Sequence, residues 1–110
     1  MSQLKDAKLA EAIAHLAAEY LQIESNRTSL ITVTRAEVLN RGKKVIVYFT
    51  VLPDSEEETA LKFAQRKQSD FRKFIISRKV VGFAPSIEFQ IDVGEKNRQR
   101  IDELSNQDNS

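Results

Sequence analysis

The sequence contains no cysteine, which excludes disulfides, thiolate metal sites and catalysis by a thiol nucleophile. Its three glycines are scattered, so none of them belongs to a glycine-rich phosphate-binding loop. No stretch reaches the roughly 18 apolar residues that a membrane-spanning helix needs. The start of the chain lacks the basic and apolar segments of a secretion signal. These absences favour a cytoplasmic protein without redox chemistry and without a membrane partner.

The composition is that of an ordinary soluble domain. The chain has 110 residues, of which 41% are hydrophobic and 30% charged, which is enough for one hydrophobic core. We expect a single domain over residues 1–104. The residues that follow are all polar, and we expect a disordered tail over residues 105–110.

The charge is unevenly distributed, although its sum is only +1. Residues 26–52 hold five basic side chains and one acidic, residues 53–64 hold one basic and four acidic, and residues 65–79 hold six basic and one acidic. If the fold brings the two basic blocks together, they would form one positive face for a polyanion. The alternative is ordinary solvated charge on a helix and a turn.

Apolar periodicity predicts the first half of the fold. Apolar residues recur every three or four positions over residues 2–23, which indicates an amphipathic helix, and a polar loop over residues 25–29 follows. Two β-branched runs, Leu30–Leu39 and Lys44–Leu52, predict a hairpin around Asn40-Arg41-Gly42-Lys43, where Gly42 can adopt a positive φ. The second run is almost continuously apolar, which is typical of a central strand.

The first strand changes phase along its length. Ile31 and Val33 lie on one parity of the alternation and Val38 on the other. One inserted residue moves the later side chains to the opposite face, so we expect a β-bulge near Arg35-Ala36.

The next helix has an interrupted apolar stripe, because Gln68 stands where an apolar residue is expected. We predict a broken helix over residues 56–67 and 70–79, with Ser69 or Asp70 capping the second piece. The alternative is a continuous helix with one polar residue at the edge of the core.

The last strand is predicted over residues 86–93, with alternating apolar residues on one face and Asp92 on the wet face. A short helix over residues 95–104 follows. The whole is an α+β fold of order α-β-β-α(kink)α-β, in which a three-stranded sheet packs on the helices.

No catalytic or metal-binding motif is present in this pattern. His15 is the only histidine and has no partner residue that would give it a chemical role. The acidic run Glu56-Glu57-Glu58 is better explained by the positive end of a helix dipole than by a cation. We therefore expect no enzyme activity, no metal and no cofactor.

Most aromatic residues stand at apolar-periodic positions. Phe49, Phe71, Phe74 and Phe89 are predicted to lie in the core, and the position of Tyr48 is left open. A general single-stranded nucleic-acid binder would instead need exposed aromatic side chains.

Basic residues near two structural breaks are the candidate site. A helix that begins at a break exposes backbone N–H groups that can bind a phosphate, and cations beside it would give binding with a steep salt dependence. Folded RNA suits such a surface. The candidate RNA-binding residues are Arg66, Lys67, Ser69, Arg72, Lys73, Arg78 and Lys79 around the break, and Arg41, Lys43 and Lys44 in the hairpin turn.

The order of elements matches the type II KH arrangement, and within it the chain resembles the bacterial ribosome-binding factor A family over about residues 9–93. The resemblance rests on four groups of residues: Leu30 to Val38, Val45 to Val51, Arg72, and Pro85-Ser86-Ile87-Glu88-Phe89 leading to Asp92.

Three segments depart from the family pattern. Lys67-Gln68-Ser69 stands where the family has Ala-x-Gly at the kink, and Asn40-Arg41-Gly42-Lys43 stands where it has Ser-x-Asp-Leu. Only Lys5 and Lys8 represent its arginine-containing start. The chain thus resembles a divergent member.

The resemblance implies a non-catalytic assembly factor that binds the small ribosomal subunit and its ribosomal RNA and assists late maturation. We expect it to be a monomer when free. Two alternatives remain: a protein-interaction module that uses a basic helix or sheet edge to bind an acidic partner, and a general single-stranded nucleic-acid binder.

Overall fold

A computed structural model describes residues 2–24, 29–79 and 82–108. The predicted loop over residues 25–29 falls outside this part of the chain except for Ser29, and so do the last two residues of the predicted tail. The elements follow the predicted order: α1 Ser2–Glu24, β1 Leu30–Leu39, a 3₁₀ turn Asn40–Gly42, β2 Lys44–Leu52, a second 3₁₀ turn Asp54–Glu56, α2 Glu57–Arg66, α3 Gln68–Arg78, β3 Ser86–Ile91 and α4 Val93–Asp108.

The three strands form one sheet in the order β1-β2-β3, so β2 is central as predicted. β1 and β2 form the antiparallel hairpin, whereas β2 and β3 are parallel. A parallel pair needs a long crossover connection, which α2 and α3 provide.

The predicted bulge in β1 is confirmed. Val33 pairs with Phe49 and Arg35 with Tyr48, which leaves Thr34 as the extra residue, immediately before the predicted position. The insertion moves the later apolar residues of β1 to the same face as Val33, where they pack on the core.

The core lies between one face of the sheet and the helices α1, α2 and α3. Its fully buried side chains include the alternating residues of β2 and β3, and its largest members are Phe49, Phe71 and Phe89. Tyr20 of α1 lies 5.3 Å from the ring of Phe71 and 5.2 Å from that of Phe74, measured between centroids, and so joins α1 to α3.

The chain beyond β3 differs from the prediction. The strand ends at Ile91 and α4 begins at Val93, because the Asp92 carboxylate accepts a hydrogen bond from the Glu95 N–H at 3.0 Å and caps the helix. Asp92 is 6% exposed and is therefore not on a wet face. No glycine or proline after Gly94 stops the helix, which reaches Asp108 and includes the first part of the predicted tail.

Among the described helices, none combines the length and the apolar character that crossing a bilayer requires. Within the same residues, no three acidic, histidine or cysteine side chains lie close enough together to hold a metal ion.

Candidate nucleic-acid interface

The helix between β2 and β3 is broken at a single residue, Lys67, which confirms the predicted break and rules out the continuous alternative. Its φ of −94° and ψ of 2° lie outside the helical range. The Lys67 N–H still donates to the backbone carbonyls of Phe63 and Ala64. The Phe71 N–H donates to the Lys67 carbonyl at 2.8 Å. The helix is therefore interrupted at Lys67, although these hydrogen bonds connect its two pieces.

The predicted cap of α3 is wrong. The break falls before Gln68, so Ser69 and Asp70 lie inside α3, and no side chain of the described residues caps it. The N–H groups in the first turn of α3 can therefore donate to an external acceptor such as phosphate.

Gln68 has a structural reason to interrupt the apolar stripe. Its Oε1 accepts a hydrogen bond from the Phe89 backbone N–H at 3.1 Å. Since β3 is an edge strand, this N–H has no neighbouring strand to bond to on its outer side. Gln68 at the break thus supplies a hydrogen-bond acceptor for a backbone N–H at the edge of the sheet.

Two exposed basic residues next to the break have no carboxylate partner among the described residues. Arg66 and Lys73 have no carboxylate within 4.0 Å among the described residues. Lys67 is half-buried, and its ammonium lies 3.7 Å from the Glu24 carboxylate at the end of α1. Among the described residues next to the break, Arg66 and Lys73 are therefore the exposed cations that neither an ion pair nor a backbone contact engages.

Arg72 is engaged with the backbone. Its guanidinium donates to the carbonyls of Ala84 and Pro85 at 3.1 and 3.0 Å, and so fixes the segment that leads into β3. Arg72, a candidate RNA-binding residue, therefore stabilises the fold next to the break.

Two other candidates have partners as well. The Arg78 guanidinium pairs with Glu19 and lies 4.7 Å from the centroid of the Phe74 ring. The Lys44 ammonium lies 3.3 Å from the Glu88 carboxylate. Lys79 is exposed and ends α3 in the left-handed conformation, with a φ of 56°.

The hairpin turn places three consecutive residues in the left-handed region. The φ values of Asn40, Arg41 and Gly42 are 53°, 58° and 87°, which confirms the positive φ predicted for Gly42. The Lys43 N–H closes the turn on the Asn40 carbonyl at 3.2 Å. The side chains of Arg41 and Lys43 are exposed at the tip.

A cavity of about 590 Å³ lies between this turn, the start of α1 and the loop before β3. It brings Lys5 and Lys8 next to Arg41, and these two lysines were not among the candidates from sequence. Its lining residues are Lys5, Asp6, Lys8, Leu9, Ala12, Arg41, Gly42, Gly82 and Phe83. We call this group the turn cavity.

The two basic blocks of the sequence do not converge at the break and the turn. Lys67 lies beside Glu24 at the end of α1, whereas Gly42 lies near Leu9 in its first half. About 15 residues of helix separate these points, or roughly 22 Å at 1.5 Å per residue. Among the described residues, the cations at the break and those at the turn thus form separate groups.

The aromatic residues occupy the core, as predicted for Phe49, Phe71, Phe74 and Phe89, of which Phe74 is half-buried. Phe83 is an exception, because it is 58% exposed in the turn cavity. The sequence signal for it was present, because it follows Gly82 in a loop outside both apolar periodicities.

Tyr48 lies on the sheet face opposite the core, but it is covered. The Arg35 guanidinium lies 3.9 Å above its ring, and its hydroxyl donates to the Glu37 carboxylate at 3.1 Å. Burial and the bond to Glu37 raise the pKa of the Tyr48 hydroxyl. With the guanidinium on its face, this ring is not open for base stacking.

A family comparison decides what kind of chain carries these two sites. The sequence model of the family described as Ribosome-binding factor A matches residues 5–105. The chain belongs to the ribosome-binding factor A family. A ribosome-binding factor A of Thermobifida fusca (strain YX) is 31% identical over 101 residues, which cover 89% of this chain and 67% of that protein.

Solved structures of ribosome-binding factor A share the fold. The crystal structure from Thermus thermophilus has a TM-score of 0.68 at 23% identity and covers 78% of this chain and 94% of its own. A Thermus thermophilus homology model fitted into the cryo-EM map of a 30S complex has a TM-score of 0.64 at 22% identity and covers 74% and 88%. The predicted α+β, KH-like fold is therefore confirmed.

Proposed function

We propose that this protein is a non-catalytic assembly factor that binds the small ribosomal subunit and its ribosomal RNA and assists late maturation in the cytoplasm. The observation that carries the proposal is the family match over residues 5–105. The Thermus thermophilus relative, which was fitted into the map of a 30S complex, supports the choice of partner.

The structure supports RNA as the molecule contacted on the subunit. Exposed cations without carboxylate partners among the described residues lie on both sides of the break, at Arg66 in the last turn of α2 and at Lys73 in α3. A second set lies at the turn, where Arg41 and Lys43 are exposed. Cations of this kind neutralise phosphates and release counterions, which gives affinity with little sequence reading.

The separation of the two sites suggests how the protein acts. Anchors roughly 22 Å apart on a rigid α+β domain can hold two RNA segments in one relative position. A protein that binds only that arrangement shifts the population of immature RNA towards it without any bond being made or broken. The protein then acts as a clamp on one RNA conformation.

The remaining candidate residues have supporting roles in this scheme. Arg72 holds α3 against the segment that leads into β3, Arg78 holds it against α1, and Lys44 pairs across the open face of the sheet. Lys67 and Ser69 lie close enough along the chain to add contacts to a phosphate bound at the first turn of α3, whereas Lys79 lies at the opposite end of this helix.

The experiment that tests the function is co-sedimentation with purified small subunits over a series of salt concentrations, with large subunits as the control. We expect selective binding that falls steeply with salt. A double charge reversal, Arg66→Glu with Lys73→Glu, should weaken binding and reduce the slope of log K against log salt by about 2.

A matched control makes the same change of charge elsewhere. Arg98→Glu with Arg100→Glu alters two exposed arginines on α4 and should leave the slope nearly unchanged. Equal binding to both subunits, or equal loss in the two variants, would contradict the proposal.

A further inference from the structure

The turn cavity combines three cations with one exposed aromatic ring. Lys5 and Lys8 come from the start of α1, Arg41 from the hairpin turn and Phe83 from the loop before β3. None of the three cations has a carboxylate within 4.0 Å among the described residues, although Asp6 also lines the cavity. Positive charge therefore surrounds an apolar surface.

The ring of Phe83 is supported from one side. A Cβ placed on Gly42 would lie 3.9 Å from the Phe83 Cζ and 3.9 Å from a methyl group of Leu9, which shows how closely ring, turn and helix approach. The edge of the ring therefore lies near the turn and Leu9, while 58% of Phe83 stays exposed. Phe83 thus offers an exposed aromatic surface at the edge of the turn cavity.

We propose that the turn cavity binds one unpaired nucleotide of RNA, with its base stacked on Phe83 and its phosphates held by Lys5, Lys8 and Arg41. The inference rests on the proposed function and names a subsite within it. A volume of about 590 Å³ lies within the roughly 300–1,000 Å³ typical of small-ligand pockets.

The chemistry of a nucleotide matches each part of this lining. Every base has a planar face that stacks on an aromatic ring, and the adjacent phosphates are anionic. The Asp6 carboxylate can accept a hydrogen bond from a base amino or imino group, which an aliphatic acidic ligand would not offer. A base inside a duplex is already stacked on both faces, so duplex RNA does not fit.

The absence of tryptophan from the chain gives a direct test. The Phe83→Trp variant carries a single indole at this position, and a base stacked on it should quench its fluorescence. The probe is an unstructured eight-nucleotide adenine or uracil RNA. We expect strong quenching by this RNA and none by the same strand in a duplex, by inorganic phosphate or by polyglutamate.

A second tryptophan variant controls for non-specific effects. Ile101→Trp places the indole at a site on α4 of similar exposure, 62%, and should not be quenched. Equal quenching of both variants, quenching by polyglutamate, or no quenching at Phe83→Trp would overturn the inference. The polyglutamate result would point to an acidic protein ligand.

Affinity measurements separate stacking from charge. Phe83→Ala should weaken oligonucleotide binding about tenfold, since stacking of one base is worth about 1–3 kcal/mol, whereas Phe83→Tyr should retain it and Ile101→Ala should have no effect. Thermal unfolding checks that all variants are folded.

If the wild type binds small subunits but Phe83→Ala binds the oligonucleotide equally well, the subsite is wrong and the proposed function stands. If the wild type does not bind small subunits, the function fails, and the quenching result still decides the subsite.

Discussion

Asp92 is a single residue that connects β1 with the start of α4. One carboxylate oxygen accepts the Glu95 N–H at the start of α4, and the other accepts the hydroxyl of Thr34 from the bulge in β1. The Arg35 guanidinium lies 3.5 Å from the same second oxygen. Burial alone raises the pKa of Asp92, but these hydrogen bonds and the guanidinium outweigh it and hold the pKa below its ordinary value.

We expect Asp92→Ala to lower the free energy of unfolding by about 1–2 kcal/mol at neutral pH, because a helix cap and a buried hydrogen-bond partner are lost. Asp102→Ala, which removes an exposed carboxylate on α4, should cost less than about 0.5 kcal/mol. Urea titrations of both variants measure the two values.

Unfolding of the wild type and of Asp92→Ala over a range of pH tests whether the pKa of Asp92 is lowered. Because the pKa of Asp92 is lower in the folded protein than its ordinary value of about 3.9, the ionised carboxylate contributes its full stability only at pH values well above that ordinary value. This contribution is lost as the pH falls through the folded pKa. The difference in unfolding free energy between wild type and Asp92→Ala should therefore shrink in acid, and a difference that grew on acidification would contradict the assignment.

Arg41 is the one cation of the turn cavity held in the left-handed region, with a φ of 58°. Glycine adopts this conformation without strain, so Arg41→Gly should leave thermal stability unchanged or raise it by up to about 1 kcal/mol while weakening RNA binding. Lys43 has an ordinary φ of −84°, and Lys43→Gly should lower stability by about 0.5–1 kcal/mol. Equal destabilisation by both substitutions would show that the turn carries no strain at Arg41.

At the scale of elements, the sequence predicted the hairpin, the bulge and the broken helix because each leaves a local change of periodicity. Gln68 predicted the break correctly, but the physical reason for it is not visible in the local pattern. Its partner, the Phe89 N–H, lies 21 positions later. The cap at Ser69 and the wet position of Asp92 were wrong because both depend on contacts between elements. Patterns within an element predict its type better than its ends.

Replacing Gln68 tests whether its hydrogen bond to the Phe89 N–H at the sheet edge stabilises the protein. Gln68→Leu completes the apolar stripe, yet it leaves the Phe89 N–H without its acceptor, so we expect a loss of about 1 kcal/mol and faster hydrogen exchange at Phe89. Gln65→Leu, at an exposed position of α2, should change neither value. A more stable Gln68→Leu protein with unchanged exchange would mean that the hydrogen bond is dispensable.

Across the whole molecule, the candidate site was only partly predictable. The two basic blocks were visible in the sequence, but their separation by roughly 22 Å along α1 was not, because it follows from packing. Ion pairs and backbone contacts engage Arg72, Arg78 and Lys44. Conversely, Lys8 and Phe83 are far apart in sequence and meet only where α1 crosses the hairpin turn.

The central claim is that two separate basic sites hold two segments of small-subunit RNA. Chemical footprinting of the ribosomal RNA, with and without the protein, tests it most directly. We predict two protected regions, one lost in Arg66→Glu with Lys73→Glu and the other lost in Lys8→Glu with Arg41→Glu. Loss of the same protections in both variants, or protection of a single continuous segment, would contradict the account.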